Sequence, residues 1–259
     1  MPRTASALTP APGYGPNTTD AAAYFNQFFA LVPANTPELQ EEAYRLRFDV
    51  YSRELQCPEY SPDLFPNGLE QDAYDQRSQH YLLRHEPTGA WAGNVRLVLA
   101  EPNDSQQPFP IESEAGIFLD SRFQQGLDRK HLAEISRLIV SPHFRKRYED
   151  KEPPYCGPAF LPRYTTERRR NLPLPMLGLF AAVMRMASEN DIRYLIAVMD
   201  PILNRLLRGL GMDLRPIAPP VTICGRKRVP CFGNGEEILA KVRKVSPDAW
   251  SIIHASPDS

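Results

Sequence analysis

The chain has 259 residues, with 30 basic against 31 acidic side chains, a net charge of −1 and 42% hydrophobic residues. That length supports one good core, and the near-neutral charge excludes an overall field that would draw the protein to nucleic acid or an anionic membrane. Cys57, Cys156, Cys224 and Cys231 form no CxxC pair and have no histidines at metal-ligand spacing, so they read as reduced thiols of a cytoplasmic protein with no metal site.

In chain order, residues 1–19 are rich in proline and small polar residues, which predicts a disordered lead without the apolar core of a secretory signal. TDAAAYFNQFFALVPA then predicts a helix with Thr19 or Asp20 as N-cap. TPELQEEAYRLRFDVYSREL predicts a second, longer helix capped by Thr36, with Ala43, Leu46, Val50 and Leu55 on one face.

From Asp72 the text turns β-prone. QHYLLRHE, WAGNVRLVLAEP and AEISRLIVSP predict three strands with hairpin-like links. LPMLGLFAAVMRMASENDI is the strongest helical signal, and RYLIAVMD follows as a buried strand. Its apolar stretch is interrupted by Arg185, far short of the roughly 18 residues of a membrane helix, so no integral membrane segment is expected. ILNRLLRGLG predicts a short amphipathic helix, MDLRPI and VTICGRKRVPCFG two more strands, and residues 245–259 a flexible tail.

Several ionisable residues stand beside apolar ones. Strand alternation places Arg96 with Asn94 and Val98, facing either water or a ligand. In LAEISRLIV it sets Glu134 and Ser136 on one face and Arg137 with Ile135 and Ile139 on the other, where a guanidinium needs a carboxylate or a ligand. Asp72 and Asp75, in EQDAYD, form either a ligand-facing pair or a solvated turn.

Taken together these elements resemble the acyl-homoserine-lactone (autoinducer) synthases and related N-acyl amino acid synthases of the GNAT superfamily. The match runs through Arg47 and Tyr51 in LRFDVY, the D-x-x-D of Asp72 and Asp75, Arg96 in GNVRL, and the E-x-x-R of Glu134 and Arg137, in that order, over roughly 37–217. The resemblance implies an α/β (α+β) fold of GNAT type. This has three layers, with a mixed, mostly antiparallel central sheet flanked by helices, and would span residues 20–244.

Its implied activity is transfer of a fatty acyl group from a carrier thioester to an amine. Glu134 would act as general base, directly or through water, with Arg137 of the same motif also among the catalytic residues and a backbone amide near Val140 for the oxyanion. In the acceptor site of Arg47, Tyr51, Asp72, Asp75 and Arg96, the arginines, with Arg137, would orient carboxylates on an amino-acid-like acceptor or within the protein, and Asp72 and Asp75 would hold the acceptor amine or the arginines. No permanently bound cofactor is implied; acyl-ACP, through its phosphopantetheine thioester, or acyl-CoA is the co-substrate.

The glycine-rich turn of an acetyl-CoA-dependent enzyme is missing after Val140, which favours a pantetheine arm on a carrier protein. The insert at 141–175 instead holds Arg145, Lys146, Arg147, Arg168, Arg169 and Arg170. These are either solvated loop charges or a docking surface for an acidic acyl carrier protein. The insert resembles most the acyltransferase branch associated with exosortase and PEP-CTERM protein sorting. The stripe of Leu177, Phe180 and Met184 is either ordinary core or the wall of an acyl tunnel. Two other readings are a catalytically silent GNAT-like binding module and an acetyl-CoA N-acetyltransferase.

Overall fold

A computed structural model of the protein describes residues 21–104, 106–117, 127–144 and 173–254. The basic docking residues Arg145, Lys146, Arg147, Arg168, Arg169 and Arg170, with most of the insert and residues 1–20, lie outside them.

The centre is a mixed sheet of eight strands in the order β1-β2-β3-β4-β5-β8-β6, with β7 paired to β8. The strands are β1 (Phe29–Pro33), β2 (Ser78–His85), β3 (Trp91–Leu99), β4 (Leu132–Val140), β5 (Tyr194–Met199), β6 (Arg215–Pro216), β7 (Val221–Ile223) and β8 (Arg226–Asn234). Only β4 and β5 are parallel. Their ladder runs from Leu132↔Tyr194 to Ile135↔Ala197, whereas β4 continues to Val140 beside β3. The sheet therefore opens between its two parallel strands at their C-terminal ends.

One face of the sheet packs against α1 (Ala21–Phe28), α4 (Leu174–Glu189) and the C-terminal helices around Val95, Leu97, Ile135 and Leu195. The other carries α2 (Pro37–Phe48) and the short helix α3 (Pro110–Ser113), with Leu82, Val98 and Ile196 beneath them. This is the three-layer, mostly antiparallel GNAT-like fold expected. Gly178 is where α1 crosses α4, since a Cβ there would lie 2.6 Å from the Phe25 ring.

Four local readings change. The first expected helix ends at Phe28, and Phe29–Pro33 pairs with β2 as an edge strand, because the unpaired edge of β2 needs a partner. The second helix gives way after Phe48 to a π-turn, Asp49–Glu54, closed by Leu55 N–H donating to Val50 O at 2.9 Å. A helix absent from the sequence reading, α6 (Gly235–Val245), starts on an Asn234 side chain that accepts from Glu236 N–H and Glu237 N–H. The expected flexible tail contains α7 (Pro247–His254), which buries Ala249, Ile252 and Ile253 in the main core. The amphipathic helix after Pro201 is α5 (Pro201–Gly209).

Candidate active site

Thr36 caps α2 by accepting Leu39 N–H, and α2 packs Leu39, Ala43 and Leu46 over Leu82. This seats Arg47 on the sheet, fully buried. Asp72 and Asp75 cap a single 3-10 turn reciprocally: Asp72 Oδ1 accepts Tyr74 N–H at 2.9 Å, and Asp75 Oδ2 accepts Asp72 N–H at 2.8 Å. The D-x-x-D spacing is thus a capping box. It turns both carboxylates inward and is neither a solvated turn nor a freely exposed pair.

Arg96 is fully buried and does not face water. It donates to Ser136 Oγ at 2.8 Å, Asp72 Oδ1 at 2.6 Å and Asp75 Oδ1 at 2.8 Å. Arg47 grips Asp75 at 2.7 and 3.2 Å and pairs directly with Glu70.

Arg137 departs from the expected alternation. Its φ is +50°, and Val95 on β3 stands opposite the two residues Arg137 and Leu138, a β-bulge. The extra residue reverses the parity of β4, so Leu138 and Val140 join the main core while Arg137 swings to the polar face. There it donates to Glu70 Oε1 at 3.1 Å and Asp72 Oδ2 at 2.8 Å. Its guanidinium lies 5.6 Å from the Tyr51 ring and 5.1 Å from that of Tyr60, and the two rings stack at 4.9 Å.

Arg47, Arg96 and Arg137 therefore balance Glu70, Asp72 and Asp75. Burial works against the charge on Glu70 and Asp75, but neighbouring arginines win and hold both below the ordinary carboxylate range. His80, opposite Arg96 on β2, has its Nε2 3.5 Å from Asp75 Oδ1 and is driven down to about 4 chiefly by burial, so it is neutral. Among the described residues, Arg96 Nη2 and Asn94 Oδ1 are buried without a hydrogen-bond partner.

Glu134 lies on the same face, two positions from Ser136, between Val98 of β3 and Ile196 of β5. It is buried and accepts the Ile111 N–H at 2.8 Å. Burial pushes its carboxyl up to about 8, Glu114 adding to the rise while the Ile111 bond, Arg96 and Arg137 oppose it. A carboxyl that titrates near neutrality can take up and release a proton at working pH.

Of the residues expected from sequence, Arg47, Tyr51, Asp72, Asp75, Arg96 and Arg137 are thus brought together, with Glu134 on the same sheet face. Val140 ends β4 opposite Gly93, past the end of the β4–β5 ladder, and the next amide, Ser141 N–H, is committed to Ala92 O at 2.9 Å. Leu177 and Phe180 are core residues. Glu70, Tyr60 and His80 were missed. Glu70 and Tyr60 sit in irregular loop text without periodicity, while His80 lies in a predicted strand and is marked only by its alternation with Leu82.

Residues 46–151 match the family model described as an acetyltransferase (GNAT) domain. That domain makes the chain an acyltransferase by class. Among solved structures, TofI in a ternary complex with an inhibitor and MTA aligns with a TM-score of 0.56 at 20% identity, covering 86% of this chain and 99% of its own. FeeM, an N-acyl amino acid synthase from uncultured soil microbes, aligns with a TM-score of 0.53 at 15% identity, covering 82% and 93%. BjaI, a CoA-dependent acyl-homoserine lactone synthase with SAM and isopentyl-CoA, aligns with a TM-score of 0.51 at 17% identity, covering 88% and 87%. At these identities the likeness establishes a shared fold. No curated protein sequence matches the chain.

Proposed function

We propose that this chain is a cytoplasmic N-acyltransferase that moves a medium- or long-chain fatty acyl group from an acyl-carrier-protein thioester to the amine of an amino-acid-like acceptor. The observation that carries the reading is Glu134, a buried carboxyl titrating near 8 on the sheet face where three arginines and three carboxylates converge. An acceptor amine is an ammonium ion at neutral pH and attacks only after losing a proton. Glu134, once ionised, accepts that proton, directly or through water. The free amine adds to the thioester carbonyl, and the tetrahedral oxyanion collapses with loss of the carrier thiolate. The resemblance gives the oxyanion to a backbone amide near Val140, other than that of Ser141, which is bonded to Ala92 O.

In this reading Arg137, braced by Glu70 and Asp72 and seated on Tyr51 and Tyr60, orients the acceptor, with Asp72 and Arg96 behind it. Because the arginines are already matched by carboxylates, the cluster acts as a preorganised frame whose dipoles are fixed before substrate arrives. The opening between β4 and β5 suits an extended pantetheine arm, whose amides can pair with the strand edge beyond Ile135.

The carrier-docking role of Arg145, Lys146, Arg147, Arg168, Arg169 and Arg170 rests on the positive charge of the insert, and a place beside an exosortase-type sorting system on sequence resemblance. Acyl-CoA is the competing donor, favoured by the CoA-dependence named for BjaI. The test supplies matched acyl-ACP and acyl-CoA of several chain lengths with an amino-acid panel and identifies products by mass spectrometry. An N-acyl amino acid formed faster from acyl-ACP supports the reading. Product only from acyl-CoA moves the donor, and acetylation alone overturns the fatty acyl assignment.

A further inference from the structure

The amide that holds Glu134 belongs to α3, a helix of four residues, and one helical turn in a loop does not keep its place unaided. Two arginines fix it. Arg129, on the 3-10 turn Arg129–His131 that leads into β4, grips Glu112 of α3 through both carboxylate oxygens, Nη1 to Oε1 at 3.0 Å and Nη2 to Oε2 at 2.7 Å. Glu112 Oε2 also accepts Phe109 N–H at 2.9 Å, which caps α3, and Arg129 Nη2 reaches Gln107 O at 3.2 Å. From the turn after Asp72, Arg77 donates to Pro108 O at 2.6 Å and Leu99 O at 2.9 Å. Both guanidiniums lie over the fully buried Phe109 ring, Arg129 at 4.9 Å and Arg77 at 5.4 Å.

We infer that Arg129 is a positioning residue for Glu134: by clamping Glu112 it fixes α3 so that the Ile111 N–H stays on Glu134 Oε2, and it thereby sets the pH at which Glu134 gives up its proton. The role of Glu134 as base rests on the acyl-transfer reading, whereas the coupling rests on these bonds alone.

An N–H bonds more strongly to a carboxylate than to a neutral carboxyl, so the Ile111 bond favours the ionised form. Burial drives the Glu134 carboxyl upward, and the Ile111 N–H opposes it more than any other neighbour does. The titratable and charged groups on the other elements packed around Glu134 are Glu114 just beyond α3, Arg96 of β3, Arg137 of β4, Tyr74 and Arg77 from the turn after Asp72, and Tyr194 of β5. Arg96 and Arg137 are both tied to Asp72, and Glu114 acts in the opposite sense to the amide but less strongly. Losing the clamp therefore raises the pH at which Glu134 ionises. A guanidinium fork can hold two carboxylate oxygens at once, and the single ammonium of lysine does not reproduce that grip.

The test titrates the Glu134 carboxyl by carbon-13 NMR in the full-length protein without substrate, its signal identified by its absence in Glu134→Gln. The wild type should show a midpoint at about 8. Arg129→Lys keeps the charge and loses the fork, and should move the midpoint upward by about one pH unit, the worth of one hydrogen bond to a charged group. Arg129→Gln, which removes the charge as well, should move it in the same direction; if that variant fails to fold, Arg129→Lys decides alone. The kcat/KM limb of Arg129→Lys should follow the NMR midpoint. A shifted midpoint in a protein that transfers no acyl group would keep the coupling and reject the base assignment. A midpoint unchanged or lowered in folded Arg129→Lys would overturn the inference, as would a shift confined to Arg129→Gln, which would make the effect one of charge.

Discussion

Glu134 Oε2 accepts the backbone N–H of Ile111 at 2.8 Å, so the carboxyl at the centre of the sheet is anchored by an amide while Arg47, Arg96 and Arg137 are committed to Glu70, Asp72 and Asp75. That division separates a buried carboxyl held by an amide from a frame of mutually paired charges. It makes pH the most informative variable.

Acyl transfer should rise with pH through about 8 as Glu134 ionises. A kcat/KM profile for the wild type should show that limb. Glu134→Gln should lower activity by roughly 10²–10⁴-fold, the usual contribution of a positioned base, and remove the limb. An unchanged profile in the variant would assign the base elsewhere.

The same group affects stability with a definite sign. In the native protein Glu134 holds its proton to about 8, against an ordinary value of 4.5 in the unfolded chain. Between those values the native state binds more protons, so this group's contribution falls as pH rises through the window. Glu134→Gln should therefore gain on the wild type by on the order of 1–3 kcal/mol from pH 5 to pH 8 in denaturant titrations.

Asp75 behaves in the opposite sense. Its carboxyl is held below the ordinary range, so the stability it contributes is present above that range and lost as pH falls into it. Asp75→Asn strands Arg47 and Arg96 with one fewer partner each and should cost about 3–5 kcal/mol at pH 7, as when one member of a buried ion pair is removed. Urea unfolding checks both statements.

Arg137 at φ +50° supplies a backbone test. In an ordinary strand, alanine is at least as stable as glycine. Here Arg137→Gly should exceed Arg137→Ala by about 1 kcal/mol, because only the alanine variant keeps a Cβ in the left-handed region. Equal stability would remove the strained bulge from the account.

Ile252→Ala in α7 should cost about 2–4 kcal/mol, as for a residue deleted from a packed core. A flexible tail would tolerate it without a shift in melting temperature.

These outcomes also mark what the sequence could and could not tell. Alternation and spacing located the strands bearing Arg96 and Glu134, and resemblance grouped them with Arg47, Asp72 and Asp75. Parity alone misplaced Arg137, because a single bulged residue reverses every side chain beyond it and leaves no trace in composition. Glu70 had no periodic neighbours to mark it, although it braces two of the three arginines. Phe29–Pro33 reads as helix by apolar spacing, and only the open edge of β2 makes it a strand. The α7 signal was present in S-P-D before Ala249, Ile252 and Ile253, a cap followed by helically spaced apolar residues, but the segment was short enough to pass for a tail.

The most direct test of the central claim is acceptor-dependent thiol release from C8 to C16 acyl-ACP thioesters, comparing the wild type with Glu134→Gln and Arg137→Ala under single-turnover conditions. The account predicts a burst of thiol that requires an amino-acid acceptor, is slowed by at least about 10²-fold in the Gln variant, and is lost in the Arg137 variant. Folded wild-type protein that binds the thioester and releases no thiol with any acceptor would contradict it and make the chain a silent acyl-carrier-binding module.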